Sequence, residues 1–186
     1  MASPCGVLNS DNRSSGRYAP SGGCDRSRSS NQIGAIIRDK DSELYEEMKL
    51  FWPSAKGDNN WFWSHEWTKH GTCVSTLRPT CFGTTYTKYD DVTAYFWKVL
   101  SLHQEHDIYA ALNLAGVIPG YWYNVDTIRD ALQQRFKSRV KLSCNRNGHL
   151  SEVSLYFYVA GRDSYELTNA PQLGNCHGPV YYAKKD

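Results

Sequence analysis

Six cysteines constrain this chain most, because covalent cross-links between distant residues limit the folds that it can adopt. They are Cys5, Cys24, Cys73, Cys81, Cys144 and Cys176. None of them has the C-x-x-C spacing that is typical of zinc sites and thioredoxin-like redox sites. The pattern therefore favours a disulfide framework, in which each bridge stabilises the fold by roughly 2–4 kcal/mol. Such a framework indicates an oxidising compartment.

The N-terminal segment does not have the features expected of a protein that is exported to an oxidising compartment. Residues 1–23 are rich in Ser, Gly, Asn and Arg and are expected to form an irregular loop. They contain no apolar stretch, so the sequence as given has no signal peptide. Two explanations stay open: the thiols remain reduced in the cytosol, or the sequence lacks its natural beginning.

Length and charge limit the function classes. The chain has 186 residues, and residues 24–186 are expected to form one domain. A net charge of +2 is too small for nucleic-acid binding by charge alone, so any RNA contact must be local. The 13 Tyr and 6 Trp fit either core packing or a base-stacking surface. No run approaches the roughly 18 apolar residues of a membrane span, so no membrane partner is expected.

Apolar periodicity predicts helices in five ranges before residue 137. The predicted ranges are 31–52, with a break near Asp39, then 60–71, 91–103, 107–114 and 126–136. Residues 139–144 and 149–160 alternate and are rich in Val, Leu, Tyr and Phe, which predicts strands around a turn at Asn147-Gly148. This order predicts an α+β fold with several helices packed on an antiparallel sheet.

The segment from Phe62 to Cys73 carries the side chains that are candidates for catalysis. Its sequence is Phe-Trp-Ser-His-Glu-Trp-Thr-Lys-His-Gly-Thr-Cys. On a helix, Glu66 and His70 are i,i+4 neighbours, and His65 and Lys69 form a second such pair beside them. One helix end would thus present a base or acid, an orienting carboxylate and a fixed cation. This set of side chains suits proton transfer next to an anion.

Two other interpretations of this cluster exist. A zinc-binding H-E-x-x-H helix does not fit, because His65 and His70 are five residues apart, about 140° around a helix. The polar groups could also be ordinary surface side chains with a Glu–Lys pair of little energetic value. A buried ring of Trp side chains would favour a functional site, because low dielectric strengthens electrostatic stabilisation. The ring would consist of Trp61, Trp63 and Trp67.

The same twelve residues resemble the second active-site segment of the ribonuclease T2 family. The resemblance continues through Cys81, Phe82 and the segments 116–119 and 150–153, and it covers residues from about 16 to 180. It implies a ribonuclease T2-like fold and an endoribonuclease of low base specificity that needs no metal or cofactor. The implied partner is single-stranded RNA, which is cleaved through a 2′,3′-cyclic phosphate, and the implied state is a monomer. Family habit implies an extracellular, vacuolar or lysosomal location.

The resemblance also implies residue roles. His70 would be the general base on the 2′-hydroxyl. Glu66 and Lys69 would orient it and stabilise the phosphorane, and His65 would hold the phosphate. The residues implied in base binding are Phe62, Pro53 and Ser54 in the wall of a second site, and Tyr18 at the first. Tyr18 could equally be an ordinary loop aromatic.

An earlier family segment, Phe-Thr-x-His-Gly-Leu-Trp-Pro, is not found in this sequence. Its histidine is the general acid in the family, and no histidine precedes His65. A truncated product, a misassigned start codon or a splice variant would each explain this. The remaining histidines lack a motif and are expected at the surface; they are His103, His106, His149 and His177.

The resemblance implies a pairing of the cysteines. Cys24 would bridge Cys73, and Cys144 would bridge Cys176. The remaining two cysteines lack their usual partners and could pair with each other; they are Cys5 and Cys81.

Three functional hypotheses follow. The first is a ribonuclease with reduced activity, since losing one acid–base partner costs roughly 10²–10⁴ in rate. The second is a non-catalytic RNA-binding remnant or decoy. The third is a poorly folded chain without function.

Overall fold

The computed structural model describes Cys5, residues 24–159 and residues 164–184. The chain divides into two compact units, Met1–Gln104 with Val159–Ser164, and Glu105–Tyr158 with Tyr165–Asp186. The predicted irregular segment 1–23 lies outside the described residues, apart from Cys5. Within the described part, none of the helices has the length and apolarity that a transmembrane span requires.

Helices form most of the described part of the first unit. They are α1 (Ile33–Lys40), α2 (Ser42–Phe51), α3 (Asn59–Lys69) and α4 (Asp90–Glu105), with short 3₁₀ turns before α1 and between α3 and α4. The predicted break in the first helical run lies at Asp41, whose backbone leaves the helical region at φ −154° and ψ 90°. The Asp41 carboxylate accepts from Leu44 N at 3.0 Å and so caps α2. Its second oxygen accepts from Trp97 Nε1 at 2.8 Å, which ties the break to α4.

The core of the first unit is built around α3. Trp63 and Trp67 of this helix are at most 1% exposed and pack with apolar side chains of α1, α2 and α4. Each indole N–H reaches a main-chain oxygen: Trp63 Nε1 donates to Trp52 O at 2.9 Å, and Trp67 Nε1 donates to Arg28 O at 2.7 Å. Because a buried indole needs such an acceptor, these two bonds fix the rotation of α3 about its axis.

A buried ion pair connects the segment before α1 to α4. Arg28 Nε lies 2.9 Å from Asp91 Oδ2, and the two side chains are 7% and 5% exposed. Arg28 Nη2 also donates to Leu77 O at 3.0 Å, and Tyr86 Oη donates to Asp91 Oδ1 at 3.2 Å. The Arg28 guanidinium lies 5.0 Å from the centroid of the Trp67 ring. The pair therefore supports α3 as well as α4.

The second unit combines two helices with short strands. The helices are α5 (Ile108–Leu114) and α6 (Val125–Phe136); the strands are β1 (Tyr121–Asn124), β2 (Lys141–Cys144), β3 (Leu150–Ser154), β4 (Tyr156–Val159), β5 (Tyr165–Thr168) and β6 (Pro179–Tyr182). Its buried core includes Leu112, Ile128, Leu132 and Leu142.

The strands pair as three two-stranded sheets in the described part of the chain. β1 and β6 are antiparallel with Tyr121 opposite Tyr182, β2 and β3 are antiparallel with Lys141 opposite Ser154, and β4 pairs with β5. The predicted α+β class is confirmed. The predicted strand 149–160 is interrupted at Leu155, and the β2–β3 register shifts between Ser143 and Cys144.

Two of the histidines that were expected at the surface are partly buried by aromatic rings. His106 contacts Phe136 and Phe157 at centroid distances of 5.7 and 5.2 Å. His149 contacts Tyr181 at 4.9 Å and Trp122 at 6.0 Å, while Trp122 and Tyr181 are cross-strand neighbours. Ring packing corrects the expectation at these two positions, whereas His103 and His177 are exposed.

All six cysteines form disulfides. The expected pairs Cys24–Cys73 and Cys144–Cys176 are present. Cys5 and Cys81, which the resemblance left without their usual partners, are bonded to each other. The structure therefore leaves no free cysteine.

Candidate active site

Helix α3 is anchored at its start by its own side chains and by α1. Asp58 caps it by accepting from Trp61 N at 2.8 Å. Asn60 Oδ1 accepts from Gly34 N at 2.9 Å, and Ser64 Oγ accepts from Ile33 N at 3.2 Å. These side chains supply acceptors to the N-terminal amides of α1, whose own N-cap residue makes no side-chain bond there. The two helices are therefore fixed to each other by polar contacts as well as by packing.

The buried face of α3 determines which side chains face outward. With Trp63, Ser64 and Trp67 buried, the opposite side of the helix exposes His65 and Lys69 and leaves Glu66 partly exposed. The structure thus presents the predicted polar groups together, on a helix whose rotation is fixed by the two indole hydrogen bonds.

Glu66 and His70 form the central pair of this surface. His70 Nε2 lies 3.9 Å from Glu66 Oε2, with 65% of the histidine side chain and 21% of the glutamate side chain exposed. His70 also ends α3, since its backbone N–H donates to Glu66 O at 2.9 Å. The separation allows an electrostatic contact when the imidazole carries a proton on both nitrogens, but it is too long for a direct hydrogen bond.

The chain turns directly after His70, and at this turn Gly71 lies against an indole. A Cβ atom at residue 71 would lie 2.1 Å from Trp67 Cε3. Thr72 Oγ1 donates to Thr68 O at 3.0 Å, and the disulfide of Cys73 with Cys24 follows at once. The imidazole of His70 therefore projects from a turn that is held by packing, by a hydrogen bond and by a covalent link.

Three of the groups that could meet an anion are exposed: His65, Lys69 and His70. Lys69 offers positive charge for a phosphate, and His65 and His70 offer imidazoles that can bind an anion or exchange a proton. Among the described residues, no three His, Cys, Asp or Glu side chains come close enough together to hold a metal ion.

The buried tryptophan ring that the sequence suggested is not what the structure shows. Trp63 and Trp67 are buried, but Trp61 is 54% exposed. Its indole stacks on His65 with a centroid distance of 5.5 Å and an interplanar angle of 20°. The correction has a simple cause: the two inward tryptophans are four residues apart on one helical face, whereas Trp61 lies on another face. Sequence reasoning assigned Trp61 no individual role.

A sequence model of the Ribonuclease T2 family matches residues 8–172. The chain belongs to the ribonuclease T2 family. Ribonuclease Rh from Rhizopus niveus is 46% identical over 171 residues, which are 92% of this chain and 71% of that protein. This chain spans 34%, 39% and 51% of the length of three other curated fungal relatives.

Solved structures agree with the family. The crystal structure of Actibind, a T2 ribonuclease, superposes with a TM-score of 0.80 at 33% identity, covering 87% of this chain and 72% of Actibind. A mutant of RNase MC1 in complex with 5′-GMP gives a TM-score of 0.60 at 25% identity, covering 78% of this chain and 71% of that one. The predicted ribonuclease T2-like fold is therefore confirmed, and the similarity supports a T2-like ribonuclease.

The residues that the family resemblance links to base binding are only partly brought together. Phe62 packs edge-on against Trp52 at 5.5 Å, and Pro53 follows Trp52 directly. Ser54 is held in the loop by its backbone N–H, which donates to Asn59 Oδ1 at 2.7 Å. Tyr18 lies outside the described residues.

Proposed function

We propose that this T2-family chain is an endoribonuclease of low base specificity that cleaves single-stranded RNA by transphosphorylation through a 2′,3′-cyclic phosphate. The observation that carries the proposal is the outward-facing group of His65, Glu66, Lys69 and His70 on a helix fixed by buried contacts. The relatives support it, since they are named ribonucleases, and the RNase MC1 complex holds a nucleotide.

His70 is the general base in this proposal. Its Nε2 takes the proton of the ribose 2′-hydroxyl while the 2′-oxygen forms a bond to phosphorus. The bond between phosphorus and the 5′-oxygen then breaks, leaving a 2′,3′-cyclic phosphate on one fragment. The 3.9 Å separation from Glu66 keeps a negative charge near the imidazolium that forms in this step.

Lys69 and His65 stabilise the phosphate as its negative charge grows. Lys69 and His65 are i,i+4 neighbours and are both exposed, so they can meet the same phosphate. Phe62 supplies apolar surface beside them, and stacking on an aromatic ring discriminates little between bases.

Protonation of the leaving 5′-oxygen is the weak step. The 186-residue sequence contains no histidine before His65, so in the proposal water protonates the leaving group. We therefore expect the 186-residue chain to cleave RNA roughly 10²–10⁴ times more slowly than an enzyme that has both the acid and the base. The family relationship suggests that the protein works outside the cell or in a vacuole or lysosome, and as a monomer.

The decisive experiment is cleavage of a defined oligoribonucleotide by the oxidised chain in EDTA. We expect products with 2′,3′-cyclic ends, and we expect them to vanish in His70→Ala. His103→Ala is the matched control, because His103 is an exposed histidine on another helix of the same unit. Equal cleavage by His70→Ala would refute the assignment of the base. Binding without any cleavage by the folded wild-type chain would instead support the non-catalytic RNA-binding hypothesis.

A further inference from the structure

The outward surface of α3 consists of two i,i+4 rows. One row is Phe62, Glu66 and His70, and the other is Trp61, His65 and Lys69. Side chains on a helix lean toward its N-terminus, so each residue rests on the one four positions before it. His65 therefore leans over Trp61, and the two rings lie nearly parallel, 20° apart.

Trp61 contributes little to the core. It is 54% exposed, whereas Trp63 and Trp67, which do form the core, are at most 1% exposed. The described contacts of its ring are with His65 and with Lys56, whose Nζ lies 5.9 Å from the indole centroid. What distinguishes Trp61 from other exposed apolar side chains is the polar site residue that is stacked on its ring.

We propose that Trp61 is a positioning residue for His65, holding the imidazole in the orientation in which it binds the phosphate of RNA. The inference rests on the proposed function, in which His65 holds that phosphate. An exposed histidine rotates about two torsions, and binding must immobilise it at an entropic cost. Stacking on the indole removes much of that freedom before the phosphate arrives, as a preorganised binding site requires.

The adjacent cation fits the same arrangement. Lys56 lies over Trp61, and Lys69 is the next residue of the row beyond His65, so positive charge is present at both ends of the stacked pair. A phosphate that reaches His65 therefore approaches a surface with positive charge on either side.

The test uses inorganic phosphate as the probe and the full oxidised chain. His65 imidazole resonances are followed by NMR during phosphate titration of the wild type, Trp61→Ala and Trp61→Phe. Loss of the indole should abolish the ring-current shift of His65 and weaken phosphate binding about three- to tenfold. Trp61→Phe should restore most of the affinity, because a phenyl ring can also stack. Trp122→Ala is the matched control: Trp122 is 55% exposed, but it belongs to the second unit and should leave phosphate binding unchanged.

The outcomes separate this inference from the proposed function. If Trp61→Ala loses the ring-current shift but binds phosphate as tightly as the wild type, the positioning role is refuted while the ribonuclease proposal stands. If the wild type does not cleave RNA but the variant still weakens phosphate binding, the positioning role stands alone. Absence of phosphate binding at His65 in the wild type would overturn the positioning role directly. Where cleavage is measurable, Trp61→Ala should raise KM more than it lowers kcat.

Discussion

Gly71 lies so close to Trp67 that the chain has no room for a side chain after the proposed base. A Cβ atom at residue 71 would lie 2.1 Å from Cε3 and 2.7 Å from Cζ3 of the indole. Trp67 in turn is buried and bonded through Nε1 to Arg28 O. The ring cannot move aside without losing that bond, so a side chain at residue 71 would displace the turn that follows His70.

Gly71→Ala should therefore destabilise the protein by about 1–3 kcal/mol, the usual cost of overpacking. Urea denaturation followed by tryptophan fluorescence measures the change. If the clash with the ring is the cause, the cost of Gly71→Ala should shrink in a Trp67→Phe background, where the phenyl ring leaves more space. Strictly additive costs in the two backgrounds would contradict this explanation.

The predictable part of the site is its local part. The spacing of Glu66 and His70 predicts their contact, because helical geometry alone brings residues four apart together. The helix itself is predicted as 60–71 and found as Asn59–Lys69. Both features depend on neighbours in sequence.

Features that depend on tertiary contacts could not be predicted in this way. Asn60 and Ser64 serve as acceptors for the amides of α1, 26 and 31 residues away. Apolar content alone suggested that Trp61 is buried, but the direction in which α3 faces decides its exposure, and hydrogen bonds to Trp52 O and Arg28 O set that direction. Strand patterns likewise predicted β structure, but not how the strands divide among separate sheets.

The Arg28–Asp91 pair should be essential for stability. Asp91→Asn leaves the guanidinium, whose side chain is 7% exposed, without its counter-charge. Breaking a buried pair in this way costs about 3–5 kcal/mol. The thermal or urea midpoint of the variant measures the loss.

Glu46→Gln is the matched control for that variant. Its partner Lys49 lies 2.8 Å away, but the two side chains are 67% and 44% exposed. An exposed pair contributes little to the free energy of unfolding because solvent screens it, so this control should leave the unfolding midpoint almost unchanged. Similar losses in both variants would show that burial does not govern the contribution of Arg28–Asp91.

Glu66→Gln should slow cleavage without unfolding the chain. The substitution keeps the shape of the side chain but removes the charge that lies 3.9 Å from His70 Nε2. An exposed charge pair contributes up to about 1 kcal/mol, which corresponds to a loss of kcat of about fivefold at most. Single-turnover cleavage is the measurement, with the exposed acid Glu43→Gln on α2 as the control. A fully active Glu66→Gln would remove Glu66 from the mechanism.

Tyr86 should make the fold sensitive to alkali. Burial and the nearby carboxylate of Asp91 raise the pKa of the Tyr86 phenol above its ordinary value of 10.0. Above that value the unfolded chain loses the phenolic proton while the folded chain still holds it, so Tyr86 favours unfolding increasingly as the pH rises toward the folded-state pKa. Its contribution to stability is fully present below pH 10.0.

Tyr86→Phe tests this linkage, because phenylalanine does not titrate. At neutral pH the variant should be less stable by about 1 kcal/mol, since it loses the hydrogen bond to Asp91 Oδ1. Between about pH 9 and about pH 11, the wild type should lose more stability than the variant, and the gap between them should narrow. Urea denaturation at each pH gives both curves, with Tyr121→Phe as a control at a tyrosine that is 58% exposed. Parallel curves for wild type and Tyr86→Phe would show that the phenol does not couple ionisation to folding.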